Sequence, residues 1–197
     1  MHAADALPDD PLDAARAWLA DARAAGVPLP EGAVVATATR NGEPSARVVL
    51  VRRIDSGFVF HTNYESRKGR NLAENPRAAL VAWWQPLGRQ LRAEGDVERI
   101  SPEETAAYFA TRPRGSQLGA WASPQSEEIG SPDELEARVA DFDRRFAGQE
   151  ITPPPFWGGY RLVPDRVELW IHGDDRLHDR FAYERAAEGW RIVRLAP

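Results

Sequence analysis

The sequence predicts a mostly β fold with peripheral helices, and three observations carry that expectation. From Ala33 onward, β-branched and apolar runs recur at strand length. Asn41-Gly42, Asp55-Ser56-Gly57 and Pro86-Leu87-Gly88 stand between them and form turns. Helix-start signals at Asp10, Ser66, Ser101 and Ser131 fall outside the strand runs, in the connections. A mostly antiparallel order with helices in its connections suggests a β-barrel.

In chain order, Asp10-Pro11-Leu12-Asp13 reads as an N-cap, a first-turn proline and a first-turn acid. They open a helix through Ala15, Trp18 and Leu19 to Gly26, with one apolar face over a sheet. Strands are expected over 33–39, 45–52, 58–62, 78–84 and 91–100. Ser66 caps a short helix that ends near Asn75-Pro76. Ser101-Pro102-Glu103-Glu104 and Ser131-Pro132-Asp133-Glu134 have capping-box spacing, which sends helices to about Thr111 and Phe146. After the stop at Pro153-Pro154-Pro155, strands return over 160–163, 166–171, 181–184 and 190–195. With no repeat, low-complexity tract or linker, one domain over 10–197 is expected, behind a loose segment 1–9.

Composition narrows the function. A chain of 197 residues, 43% hydrophobic, builds one well-packed core and leaves a second full domain cramped. The 25 basic and 30 acidic residues give a net charge of -5, which argues against a broad nucleic-acid surface and leaves local basic pockets open. No apolar run is long enough for a membrane span, and the N-terminus is acidic, so a cytoplasmic protein without membrane contact is expected. Without cysteine there is neither disulfide nor thiolate chemistry, and redox chemistry must come from a bound cofactor. His2, His61, His172 and His178 show no ligand spacing, so no metal is expected.

Two segments concentrate chemistry. The run from Arg112 to Ser126 packs cations, hydroxyls, amides and an indole into a poorly hydrophobic stretch that suits a phosphorylated ligand better than a core. Arg176-Leu177-His178-Asp179-Arg180 adds two guanidiniums and an imidazole between strand-like segments. Three further segments join them: 46–52, Thr62-Asn63-Tyr64-Glu65-Ser66-Arg67-Lys68-Gly69, and Phe156-Trp157-Gly158-Gly159-Tyr160-Arg161 with the terminal Arg194-Leu195-Ala196-Pro197. In this order, from about Asp10 to Pro197, the chain resembles the pyridoxamine 5'-phosphate oxidase family of FMN enzymes.

The resemblance implies an antiparallel FMN-binding split β-barrel that forms a homodimer with flavin at the interface. It also implies the oxidation of pyridoxamine or pyridoxine 5'-phosphate to pyridoxal 5'-phosphate, with O2 as acceptor and H2O2 as product. The positions it assigns to the flavin are Arg47, Val48, Val49, Leu50, Val51, Arg52, His61, Thr62, Arg67, Lys68, Gln90, Gln125, Ser126, Trp170 and Arg180. Those assigned to a phosphorylated pyridine substrate are Arg52, Tyr108, Arg112, Ser116, Arg176 and His178, the last two also in the catalytic role.

The residues themselves support part of this. Arg47, Arg67 and Lys68 with a helix start at Ser66 can hold a phosphate, although pairing of the arginines with Glu65 or Glu74 is the plainer alternative. Tyr108 and Arg112 are four apart on the predicted helix and share a face, with Ser116 joining from the following loop. Singly, Tyr108 also reads as packing beside Phe109, Arg112 as a helix C-terminal charge, and Trp170 as a core indole. Arg176 and His178 alternate along an extended or loop segment, which puts both on one side and Asp179 on the other.

Departures from the family pattern cluster on the substrate side. Arg52 stands where lysine is usual, His61 where tyrosine is common, and Ile171-His172 where glutamine and glycine are usual; residues 1–10 lack a covering arginine and tyrosine. Two alternatives therefore stand: a related oxidase of a reduced aromatic metabolite of the dihydrophenazine type, and a noncatalytic flavin-binding module.

Overall fold

The computed structural model describes residues 7–197, which form five α-helices and nine strands. The strands are β1 (Gly32–Ala38), β2 (Pro44–Leu50), β3 (Arg53–Ile54), β4 (Phe58–Asn63), β5 (Arg77–Trp84), β6 (Arg89–Arg99), β7 (Trp157–Ile171), β8 (Asp179–Arg185) and β9 (Trp190–Leu195). Every pairing is antiparallel, in the order β2-β1-β5-β6-β7-β4-β3, with β8 on β7 and β9 on β8. The sheet curls into a barrel because β2 and β3 are two parts of one bent run. Before the bend the run pairs with β1; beyond it the Arg52 N–H donates to the Val59 carbonyl in β4 at 2.8 Å.

Alternation along these strands fills the barrel with Val35, Phe58, Phe60, Leu80, Leu91, Leu162, Val167 and Leu169. Helix α1 (Pro11–Ala24) adds Ala15, Trp18 and Leu19 to this core, and the Asp10 carboxylate caps it by accepting from the Leu12 N–H at 2.8 Å. The expected strands 160–163 and 166–171 are parts of the single strand β7. Its register on β6 shifts between Glu94 and Gly95, leaving Asp165 as the extra residue of a β-bulge. Pro164 is tolerated at that bulge, and Gly95 is needed there, since a Cβ would stand 2.0 Å from the Val163 carbonyl oxygen.

Helices α2 (Arg67–Glu74), α3 (Pro102–Ala110) and α5 (Pro132–Arg145) start at the expected serines. In α3 both arms of the capping box form, whereas at α5 Ser131 caps and Glu134 instead accepts from the Gly130 N–H at 2.9 Å. The run from Arg112 onward, expected as a ligand loop, contains helix α4 (Arg114–Ala122). Pro113 at its N-cap offers no capping side chain, so the sequence carries no start signal. Leu118 and Ala120 of α4 enter a second core with Phe109, Ile151 and Trp157, and Trp121 packs with Phe142 and Phe146.

Of the segment 1–9 expected to be loose, residues 1–6 lie outside the described residues. Leu7 packs against the main core, and the Pro8 carbonyl accepts from the Tyr183 hydroxyl at 2.9 Å.

Candidate active site

Two cavities adjoin where β2, β4, the start of α2 and the loop after α4 meet. The first, about 510 Å³, is lined by Ser45, Arg47, Val48, Val49, Arg67, Lys68 and Ser126. The second, about 470 Å³, is lined by Leu50, Arg52, Tyr108, Arg112, Ser116 and Trp157. His61, Thr62 and Gln125 border both. Of the stretch 47–52, Val51 is buried in the main core and Val49 packs against it.

The first cavity gathers three cations, Arg47, Arg67 and Lys68. Arg47 donates to the Thr37 hydroxyl at 2.8 Å, the Ser45 hydroxyl at 2.6 Å and the Val35 carbonyl at 3.2 Å. Lys68 donates to Thr62 Oγ1 and Gln125 Oε1, both at 2.8 Å, and to Ser66 Oγ at 3.3 Å. All these acceptors are neutral, so they fix the two cations without cancelling their charge. Arg67 opens α2 directly after the Ser66 cap, where free backbone amides add positive potential. The pairing with Glu65 or Glu74 that the sequence left open is absent among the described residues; it is Arg70 that pairs, with Glu127. Burial, reinforced by Arg47, pushes Lys68 down to about 8, a sign that positive charge here lacks its counterion.

The second cavity gathers a phenol, two guanidiniums and a hydroxyl. Tyr108 and Arg112 do converge, but not along one helix face: α3 ends at Ala110, and the turn beyond it lays the Arg112 guanidinium 4.6 Å from the Trp157 ring centre. Ser116 comes from the first turn of α4, not from a loop. Arg112 Nη1 is sealed from solvent without a hydrogen-bond partner, and so are both ring nitrogens of His61. The His61 ring stacks on Tyr108 at 3.9 Å and on Trp157 at 5.4 Å. Burial first, then the charges of Arg112, Arg53 and Arg52, push His61 down to about 4, so it is a neutral imidazole at physiological pH. Unpartnered buried polar atoms destabilise a fold by roughly 1–3 kcal/mol each, so this wall carries a cost that packing alone does not require.

The remaining expected residues form a separate group. Gln90, Trp170 and Arg180 lie side by side across β6, β7 and β8, and none of them borders the two cavities. The Arg180 guanidinium donates to buried Glu168 at 2.8 Å and to the Ala196 carbonyl at 2.8 Å. His178 packs on Trp170 with ring centres 4.4 Å apart. The expected alternation of Arg176 and His178 does not hold, because residues 174–176 make a short 3-10 turn in which Asp175 (φ 52) and Arg176 (φ 64) are left-handed. That turn lets the Gly173 N–H donate to His178 Nδ1 at 3.2 Å, while Asp179 pairs with Arg194 at 3.1 Å. Among the described residues, four non-glycines have positive φ, and Ser126, Asp175 and Arg176 are three of them; strained backbone of this kind concentrates at ligand sites. Trp157 and Ser45 belong to the cavity walls although the sequence did not single them out as site residues. The only signal for Trp157 was its place in the segment 156–161.

Comparison with known proteins extends these observations over the whole chain. Residues 19–145 match the family model described as pyridoxamine 5'-phosphate oxidase, and residues 157–197 match the pyridoxine 5'-phosphate oxidase C-terminal dimerisation region. A pyridoxine/pyridoxamine 5'-phosphate oxidase of Rubrobacter xylanophilus is 53% identical over 196 residues, covering 99% of this chain and 90% of that protein. One of Myxococcus xanthus is 50% identical over 192 residues, covering 97% and 93%. Among solved structures, PhzG from Burkholderia lata in complex with tetrahydrophenazine-1-carboxylic acid superposes with a TM-score of 0.94 at 33% identity, covering 100% of this chain and 97% of that one.

Proposed function

Because the chain belongs to the pyridoxamine 5'-phosphate oxidase family, we infer that it is an FMN-dependent oxidase converting pyridoxamine or pyridoxine 5'-phosphate to pyridoxal 5'-phosphate, with O2 as acceptor and H2O2 as product. The observation that carries this reading is the pair of adjoining cationic cavities with His61, Thr62 and Gln125 as their common wall. Two phosphorylated aromatic ligands side by side need two such anion subsites.

FMN fits the first cavity: Arg47, Arg67 and Lys68 offer uncompensated charge for its phosphate, while Thr62, Gln125, Ser126 and the backbone of 47–52 offer polar contacts. When bound, FMN supplies the two-electron chemistry, taking a hydride from the substrate and passing the electrons to O2. The chain's own task is anchoring and alignment. Arg52, Tyr108, Arg112 and Ser116 hold the substrate phosphate in the second cavity. Arg176 and His178 orient the pyridine ring; since Nδ1 accepts from the Gly173 N–H, Nε2 is left to present a donor. The exocyclic carbon stays on the ring and is oxidised to an aldehyde from the alcohol, or from the amine to an imine that water hydrolyses to aldehyde and ammonia.

Gln90, Trp170, Arg176, His178 and Arg180 fall in or beside the matched dimerisation region and away from the cavities of their own chain. The protein acts as a homodimer in which this group completes the partner's site. The working unit is one domain over 10–197. We place it in the cytoplasm, in keeping with a cysteine-free sequence and with no helix among the described residues long and apolar enough to cross a membrane.

The similarity to PhzG keeps oxidation of a dihydrophenazine as a second reading, in which Arg112 would meet a carboxylate. One experiment separates them. FMN-loaded protein is mixed anaerobically with pyridoxine 5'-phosphate and its visible absorbance followed. Bleaching, with aldehyde and restored colour on admitting air, is expected; persistent colour, with bleaching by a dihydrophenazine, would replace the B6 reading with the second.

A further inference from the structure

Of the 25 basic residues in this chain, one is a lysine, and that lysine is Lys68. It is only 8% exposed, yet its side chain borders the cavity of about 510 Å³ between Arg47 and Arg67. Its three hydrogen-bond partners, Thr62, Ser66 and Gln125, are uncharged. A desolvated amine beside a second cation is the environment that makes lysine a nucleophile toward carbonyl compounds. With its pKa pushed down to about 8, about a tenth of Lys68 is the free amine at pH 7. An arginine in the same place could hold an anion but could not form an imine.

We propose that in flavin-free protein Lys68 is a covalent capture site for phosphorylated aromatic aldehydes, the phosphate held by Arg47 and Arg67 and the carbonyl carbon joined to Nζ. The choice of ligand class rests on the oxidase reading, because the product is itself such an aldehyde. The step is a condensation: the neutral amine adds to the carbonyl, the carbinolamine loses water, and an imine remains, with no electrons exchanged. Captured aldehyde occupies the cradle that otherwise receives the flavin phosphate. Excess product therefore holds back loading of fresh protein with FMN, while loaded protein is immune.

The test needs no turnover, so its outcome is independent of whether B6 phosphates are the substrate. Flavin-free protein, shown by circular dichroism and FMN rebinding to be folded, is incubated with pyridoxal 5'-phosphate, reduced with borohydride and mapped by mass spectrometry. The expected result is one lysine adduct, at Lys68, accompanied by loss of FMN binding. Prior loading with FMN or an excess of inorganic phosphate should suppress it, and Lys68→Arg should abolish it. In an Arg144→Lys variant, which adds an ordinary exposed lysine, Lys68 should label faster at neutral pH by roughly two hundredfold, the ratio of free-amine fractions at pH 7 for groups at about 8 and about 10.4. Absence of the Lys68 adduct, or equal labelling with FMN bound, would overturn the proposal. Equal labelling by phosphate-free pyridoxal would overturn the role given to Arg47 and Arg67.

Discussion

Replacing Arg47 with alanine separates cofactor binding from folding, and the structure sets the size of the effect. Arg47 contributes one uncompensated charge to the first cavity, and a phosphate there gains a charge-assisted hydrogen bond of about 1.5–3 kcal/mol from it. At about 1.4 kcal/mol per decade, losing it raises the FMN Kd by roughly 10- to 150-fold. The fold should hardly notice. Thr37 and Ser45 lose a donor, but Asn71 Nδ2 still donates to both, at 3.0 and 3.1 Å, and removing Arg47 relieves its repulsion with Arg67. The assay is quenching of FMN fluorescence on titration with flavin-free protein, paired with a thermal melt of the same sample. The weakening should shrink with added salt, since Arg47 is itself only partly buried and its attraction for the phosphate is screened. An unchanged Kd with a normal melt would remove the phosphate from this cavity; a large fall in stability would show that Arg47 is chiefly a structural crosslink between β1 and β2.

Three further outcomes follow from the same geometry. FMN affinity should fall as pH rises through about 8, because flavin-free Lys68 loses its proton there and with it the charge that the phosphate meets; fluorescence titrations across that range should slope in the natural protein and stay flat in Lys68→Arg. His61→Phe removes two sealed, unpartnered nitrogens, so flavin-free protein should become more stable, by roughly 1–3 kcal/mol in urea once the larger ring is accommodated, while substrate affinity falls; a destabilised variant would mean that the nitrogens have partners. Hydrogen bonding from Arg161 holds Asp55 down to about 2, so its share of stability is complete above the ordinary carboxylate range and drains away as pH falls from about 4 to 2. Asp55→Asn should therefore cost roughly 1–2 kcal/mol at pH 7, discounted for partial exposure, a small fraction of that at pH 2 where Asp55 is half protonated, and nothing well below pH 2; a full cost that persists at pH 2 would point to packing instead.

Legibility in the sequence tracked the range of the interaction. Short-range signals were reliable: Asp10, Ser66, Ser101 and Ser131 each cap a helix within one turn of themselves. The β-branched and apolar runs placed the strands other than short β3 but split β7, because Pro164 reads locally as a stop and becomes part of a bulge only when β6 lies opposite. Helix α4 went unseen for the converse reason: its stability comes from burying Leu118 and Ala120 against distant Phe109 and Trp157, and no local cap announces it.

The candidate site divides in the same way. The anion-binding role proposed for Arg47, Arg67, Lys68, Tyr108, Arg112 and Ser116 was legible from residue type, helix starts and motif order, since charge and hydrogen-bonding capacity belong to the side chain itself. What the sequence by itself determined was the inventory: a cysteine-free, mostly β chain with two cationic sets and one lysine. Only the tertiary structure decided that the two sets share a wall, that His61 in that wall is neutral and unpartnered, and that Gln90, Trp170 and Arg180 stand apart from it. Burial, desolvation and cross-strand register arise from segments far apart in the chain, and none of them exists until the sheet has closed.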